Sequence, residues 1–449
     1  MNNDVAPMTT GSIAQKIVLF ALPIFIGNLF QQMYNTVDSL IVGNYLGSNA
    51  LAAVSSSGNL IFMLIGFFTG IATGAGVIIA RLYGANDREH LSKAVHTSIA
   101  LGLVSGIILT IIGVFFSGQI LIWMQTPESV MVESLAYLQM YFWGSLGFVM
   151  YNIFVGILQA IGDSKHPLYY LILSSIINLI LDIIFIRYGQ MGVAGAALAT
   201  IISQFISAIC CLWQLLHTQA AYKVNLRLVR FDLPLLKEII QIGIPSGIQN
   251  SIIGFANVIV QANINSFGAL AMAGYGAYTK IEGFGFLPIT SFTLALTTFV
   301  GQNIGAQQYE RTKKGARFGI IATLILAQLI GIFIFIFAPS LIAAFDQNPD
   351  VISFGIAKAR SCTLFYFLLA YSHALASILR GAGKATVPMM VMMICWCVIR
   401  VSFLSITIPL THDILMVYIV YPLTWFLSSV CFFVYYHRSN WLSSPDKSS

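Results

Sequence analysis

Apolar stretches of about 20 residues, each able to cross roughly 30 Å of hydrocarbon, recur about twelve times between Ile17 and Tyr436. In a bilayer every backbone N–H and C=O must be satisfied within a helix or a closed barrel, and runs this long without strict alternation exclude barrel strands. The chain is therefore expected to be an all-α polytopic membrane protein with 12 transmembrane helices. Apolar residues supply 58% of its 449 positions and charged residues 8%, which excludes a soluble core of ordinary composition. The spans are expected near 14–42, 50–79, 91–117, 130–160, 166–187 and 192–217, then 235–264, 270–300, 314–338, 351–379, 386–409 and 413–436.

The formal charge of +6 would suit nucleic acid or another acidic partner, but the basic residues mark topology instead. Of the 22 Lys and Arg, all except Arg187, Lys280, Lys358, Arg360 and Arg400 fall on one side if the N-terminus is cytoplasmic, so both termini are expected there. The polar start, with Asn2, Asn3 and Asp4, lacks the pattern of a cleaved signal, and the first span is expected to direct insertion. The 6 cysteines sit in apolar segments as small hydrophobes, so neither a disulfide framework nor a cysteine metal site is expected. The patterns GxxxxGK[ST], HExxH and GxSxG are absent, which argues against nucleotide-driven or hydrolytic chemistry; no enzyme and no cofactor are expected.

The chain also repeats itself. Gly84-Ala85 matches Gly305-Ala306, Lys93 matches Lys314, Gly162 matches Gly383 and Pro167 matches Pro388, always 221 positions apart. Pro23 and Asn28 align with Pro245 and Asn250 one position further on. The expected organisation is an N-lobe over 1–218, a polar cytoplasmic linker over 219–233 and a C-lobe over 234–449, giving two pseudo-symmetric six-helix bundles. Parallel repeats of this kind make the space between the lobes the natural substrate cavity. Gly66, Gly70 and Gly74 recur every fourth residue and suit close helix packing. Pro23 and Pro245 interrupt hydrogen bonding at matching places, so each helix can bend there.

Three carboxylates, Asp38, Asp182 and Glu282, lie inside spans, where ionisable groups are costly and usually bind ions, protons or substrate. Gln31, Tyr34, Asn35 and Asp38 share one face of the first span, and Asn178 and Asp182 share one face of the fifth. Asp38 and Asp182 are expected at matching depth in the outer half of the N-lobe. Two carboxylates close together in low dielectric cannot both stay ionised cheaply; one proton or a small cation such as Na⁺ relieves them. A structural alternative is a protonated Asp hydrogen-bonded to Asn178. Thr200 offers a further hydroxyl, although membrane threonines commonly bond back to their own helix.

Glu282 lies near the middle of the eighth span, and a carboxylate in a cavity suits a cationic substrate. Lys280, two positions before it, faces elsewhere on a helix. Asn250, Asn257 and Gln261 form a neutral polar face, and Tyr141, Trp143, Tyr275 and Tyr278 are candidate cation–π partners. Arg400 should have an acidic or carbonyl partner, while His96 and His373 read as satisfied structural groups.

Over nearly its full length the chain resembles the multidrug and toxic compound extrusion (MATE) transporters. The resemblance rests on Pro23, on Val37-Asp38-Ser39 through Leu46-Gly47 to Ala50-Leu51-Ala52-Ala53, on the Gly84-Ala85 and Gly305-Ala306 loops, and on Asn178, Asp182 and Thr200. It implies two six-helix bundles facing each other in a V and extruding organic cations in exchange for H⁺ or Na⁺. It also implies a coupling-ion site at Asp38, Asn178, Asp182 and Thr200, with Pro23 as the bending point of helix one. The stretch from Asn250 to Gln261 lacks the carboxylate of the NorM-type branch, so the chain looks more like the DinF-type branch.

The expected function is a monomeric secondary active antiporter of the bacterial cytoplasmic membrane, exporting small cationic drugs. The substrate cavity is expected to include Gln31, Tyr34, Asn35, Glu282, Asn257, Gln261, Tyr275 and Tyr278. Two other readings stay open: a flippase for lipid-linked precursors, and a membrane protein that does not transport. At the repeat spacing, Asp38, Asn178, Asp182, Thr200 and Glu282 correspond to Ile259, Ile399, Phe403, Tyr421 and Ile61, so each acid exists in one lobe only.

Overall fold

A computed structural model describes residues 8–442 except 124, 125 and 127; the side chains at 48, 49, 51, 52, 55–60, 62, 63 and 129 are outside the described set. Asn2, Asn3, Asp4 and Lys447, and the side chains of Leu51 and Ala52, therefore lie outside the described residues. The described chain is helical throughout. In order come α1 (Ile13–Leu46), α2 (Ser48–Gly84), α3 (Arg88–Trp123), α4 (Glu128–Trp143), α5 (Ser145–Ala160), α6 (Lys165–Asp182) and α7 (Gly192–His217). The second half runs through α8 (Leu233–Asn265), α9 (Ala269–Gly305), α10 (Tyr309–Ala343), α11 (Pro349–Cys362), α12 (Tyr366–Gly381), α13 (Thr386–Met392), α14 (Arg400–Thr411) and α15 (Leu415–Arg438).

Ten segments are long and apolar enough to cross a membrane, eleven if the pair α4 and α5, bent by 48° at Gly144, counts as one span. The remaining span is α8, 33 residues long but diluted by Gln241, Gln249, Asn250, Asn257, Gln261, Asn263 and Asn265. Most helices run several residues beyond the expected spans, because a helix keeps its hydrogen bonds into the interface after its apolar core has ended. Two spans change pitch midway: α6 continues as a π-helical segment, Ile183–Tyr188, and α13 leads through a second, Met393–Ile399, into α14. Such π segments are rare and gather at functional sites.

The duplication is visible in the backbone. Left-handed residues occur at Gly47 and Gly268, at Asn86 and Gln307, and at Gly162 and Gly383, each pair at the repeat spacing, with Gln190 and His412 one position off it. Gly47 and Gly268 precede α2 and α9 at φ 88° and 95°, a conformation that L side chains rarely adopt.

Two compact units result, Ile26–Gly247 and a second made of Met8–Phe25 with the chain from Ile248 onward. The chain thus changes unit inside α1 and inside α8, just past Pro23 and Pro245, and the linker expected over 219–233 lies within the first unit. In that unit α2 and α8 meet backbone to backbone: a Cβ on Gly70 would come 2.1 Å from Gly247 N, and one on Gly74 2.5 Å from Gly243 N. The packing role expected of the glycine series is met at these two positions.

Hydrogen bonds hold the starts of the two divided helices. The Arg311 guanidinium donates to the carbonyls of Met8, Thr10 and Gly11, and Met8 N–H donates to Gln302 Oε1 at 2.8 Å. Ahead of α8, Asn225 N–H donates to His96 Nε2 at 2.9 Å and Asp232 N–H to Thr97 Oγ1 at 3.0 Å. Since His96 Nε2 accepts, its Nδ1 carries the proton and donates to Ser92 O. His96 is a structural bridge, as expected.

Candidate functional site

The first unit contains a pocket of about 200 Å³ between α1 and α6. Its walls are apolar, from Phe30, Met33, Val37, Ile172, Ile176 and Leu179, and Tyr34, Asp38, Ser175, Asn178 and Asp182 supply its polar groups. Asp38 comes from the second half of α1, Asn178 and Asp182 from the last turns of α6, where the π segment begins. Asp182 is fully buried and Asn178 nearly so. Asn178 Nδ2 donates to Thr200 Oγ1 at 3.4 Å, and Thr200 donates back to Ala196 O at 3.1 Å, the self-helix bond anticipated for a membrane threonine.

The two carboxyls are within hydrogen-bond reach of each other, which a proton between them can satisfy. Apart from that contact, Asp38 Oδ1 and both oxygens of Asp182 have no donor among the described residues. No Lys or Arg lines the pocket. Arg187, one turn past Asp182, stacks instead on Tyr45 and Tyr188, its Cζ 5.9 and 5.6 Å from their ring centroids. Buried carboxylate oxygens without donors are costly unless protonated or given a cation. Asp38, Asp182 and Asn178 line the pocket, and Thr200 is tied to it through Asn178; carboxylate, amide and hydroxyl oxygens are the donor types that hard cations take.

Asp163 anchors the start of α6. Its Oδ1 accepts the backbone N–H groups of Lys165 and His166, both at 3.2 Å, and its Oδ2 meets His166 Nδ1 at 2.6 Å and Gln214 Nε2 at 3.1 Å. Burial alone would raise its pKa, but the His166 and Gln214 contacts outweigh it and hold the carboxyl below its ordinary range.

The acid of the second unit is in a different setting. Tyr278 donates to Glu282 Oε1 at 3.1 Å and Tyr366 at 3.4 Å, and the two hydroxyls are themselves 2.9 Å apart. Tyr275 bonds Tyr421 at 2.8 Å. Lys358 and Arg400 act electrostatically on Glu282, so this carboxylate has cationic company that Asp38 and Asp182 lack. Lys280 does face away, towards the ring of Phe345. No acid or carbonyl hydrogen-bonds Arg400 among the described residues, and Glu282 acts on it only at a distance: Nη2 donates to Thr424 Oγ1 at 2.9 Å, and Cζ lies 4.4 Å from the Tyr421 ring centroid and 5.6 Å from that of Trp396. A hydroxyl and aromatic faces supply its direct contacts because the weakly hydrated guanidinium stacks well.

Asn257 is exposed and Gln261 donates to Asn265 at 2.7 Å; neither joins the Glu282 network among the described hydrogen bonds. On α1, Gln31 hydrogen-bonds Tyr34, which lies within electrostatic reach of both acids of the pocket, while Asn35 is exposed. Two residues not anticipated are Tyr137, which also feels both acids, and Lys358, which reads in sequence as a lone lysine near a span end.

Together these features define a duplicated helical membrane protein with an acidic pocket in one repeat and a cation-rich tyrosine cluster in the other. The family model described as MatE matches residues 23–184 and again 245–406, so the chain belongs to the MatE family. Both matches begin at the in-helix prolines, Pro23 and Pro245. The chain is similar to the probable multidrug resistance protein YoeA of Bacillus subtilis (strain 168), 28% identical over 433 residues that cover 95% of this chain and 94% of that one. It is also similar to the probable multidrug resistance protein NorM of Thermotoga maritima, 29% identical over 388 residues, 84% and 82% of the two chains. Among solved structures, an outward-facing multidrug resistance MATE family transporter of the MOP superfamily shares the fold with a TM-score of 0.90, at 23% identity over 97% of this chain and 98% of that one.

Proposed function

We propose that this protein is a secondary active antiporter of the bacterial cytoplasmic membrane that exports lipophilic organic cations in exchange for H⁺ or Na⁺. It works as a monomer, with both termini in the cytoplasm. One observation carries the coupling: two carboxyls with three donorless oxygens line an apolar pocket that, among the described residues, no basic side chain lines. Asp38 and Asp182 bind the ion, and Asn178 and Thr200 add neutral oxygens. The apolar walls suit the rings of a lipophilic cation. Ion and drug seek the same negative charge, so loading either weakens the other, and the effect is reciprocal. Membership of the MatE family and relatives named for multidrug resistance support the drug side of this reading.

Pro23 lets α1 bend as the pocket loads. Gln31, Tyr34 and Asn35 guide substrate along α1, and Asn257 and Gln261 do so in the second unit, where Tyr275, Tyr278 and Glu282 shape the wall through their hydrogen bonds. The carboxylate-free stretch from Asn250 to Gln261 supports reading the chain as nearer the DinF-type branch than the NorM type. In everted vesicles, transport of a fluorescent lipophilic cation should stop when one of the two gradients, pH or Na⁺, is collapsed separately. Undiminished transport after both are collapsed refutes antiport.

A further inference from the structure

The second unit holds two buried basic side chains, Lys358 and Arg400, that the proposed cation export does not use. Lys358 and Arg400 are 1% and 2% exposed, and both sit on the ring of Tyr421, at 3.4 and 4.4 Å from its centroid. The rings of Tyr275, Tyr278 and Tyr418 lie 5.7, 5.8 and 5.5 Å from Lys358 Nζ. Aromatic faces attract these cations but accept no strong hydrogen bond. Arg400 Nε and Tyr418 Oη, both buried, accordingly have no hydrogen-bond partner among the described residues, and Lys358 Nζ has only the Cys362 thiol, a weak acceptor. All three are donors.

The charge count points the same way. Glu282 is the carboxylate that acts on this cluster, and its Oε1 already accepts from Tyr278 and Tyr366. Among the described residues, two buried basic side chains face one carboxylate, an excess of one positive charge when both are protonated, which the interior tolerates poorly. A water can satisfy the donors but not the charge. A monovalent anion offers both an acceptor and the charge.

Its place in the repeat is also informative. Tyr137, Leu179 and Thr200, which surround the acids of the first unit, correspond at the repeat spacing to Lys358, Arg400 and Tyr421. The donorless acids themselves, Asp38 and Asp182, correspond to Ile259 and Phe403, so the two clusters occupy matching regions of the repeat without sharing positions. A π segment ends at Arg400, as one begins at Asp182.

We infer that the second unit binds a small monovalent anion, a halide or a carboxylate, on Lys358 Nζ, Arg400 Nε and Tyr418 Oη. The test uses full-length protein purified in detergent with sodium gluconate, exchanged at constant ionic strength for chloride, bromide, formate or acetate. Chloride and bromide should raise the melting temperature saturably, and bromide should quench tryptophan fluorescence saturably, since Trp396 neighbours Arg400. Formate or acetate acting where halides do not would assign the site to a carboxylate. Lys358→Met leaves Arg400 balanced by Glu282, so it should fold, melt as the wild type does in saturating anion, and lose the anion dependence. Bromide crystals of the wild-type protein should show an anomalous peak beside Lys358. Responses that follow total salt without saturating, a dependence unchanged in Lys358→Met, or no anomalous peak would each overturn the site. None of these outcomes bears on drug antiport, which the gradient experiment tests separately.

Discussion

Replacing Asp182 with Asn isolates the electrostatic term behind the proposed coupling. Two carboxylates about 4 Å apart repel by about 4 kcal/mol at an effective dielectric constant near 20. A proton or Na⁺ taken up by the pair relieves that repulsion, which at about 1.4 kcal/mol per decade is worth roughly a thousandfold in ion affinity. Asp182→Asn removes the repulsion in advance, so Asp38 alone should bind the ion roughly a thousandfold more weakly. Asn is nearly isosteric, and its amide can donate to Asp38 Oδ1, which otherwise lacks a donor. The ion-free variant should therefore be more stable than the wild type, by about 1–3 kcal/mol, rather than less. The assay pairs gradient-driven efflux in vesicles, at matched protein levels, with thermal melting and ion titration of purified protein. Full gradient-driven efflux, or ion affinity within about tenfold of wild type, would refute the reasoning. A stability loss together with inactivity would refute the electrostatic account of the pocket.

Two structural predictions accompany it. Gly74→Val should destabilise the first unit by about 1–3 kcal/mol, because the new Cβ would lie 2.5 Å from Gly243 N and Ile239 O, and backbone cannot swing aside. A broadened size-exclusion profile and a lower melting temperature are the expected readouts, and unchanged melting would contradict the close crossing. Asp163 gives an acid-side pH dependence. Its folded pKa is depressed, so its contribution is complete above the ordinary carboxylate range near 4 and fades as pH falls through the lower, folded value. Asp163→Asn should lower the melting temperature at neutral pH and flatten its decline in acid; a decline as steep as that of the wild type would show that other groups cause it.

Much of the fold is legible in the sequence because the bilayer constrains each segment locally. Span length follows from hydrocarbon thickness, and the duplication survives as matched Gly and Pro positions, with the left-handed residues falling on the same spacing. The pocket is legible in part. Shared helical faces bring Asn178 next to Asp182, but whether Asp38 meets them depends on how α1 and α6 are rotated and packed. Pairing across helices was harder to foresee. The neighbours of Arg400 are Thr424, Tyr421 and Trp396, and the lysine that acts on Glu282 is Lys358, 76 positions away rather than two.

The sequence by itself therefore determined that the chain is helical, crosses the membrane repeatedly, arose by duplication and carries each intramembrane acid in one repeat. These properties depend on composition and local period, which a helix in lipid must obey whatever its neighbours are. Only the tertiary structure decided that α1 and α8 each divide between units just past their prolines, and that Asp38 and Asp182 share a pocket without a base. It also decided that Glu282 lies among tyrosines near two cations. Burial and charge balance depend on which side chains packing brings together, and helical period alone carries no information about a residue on another helix.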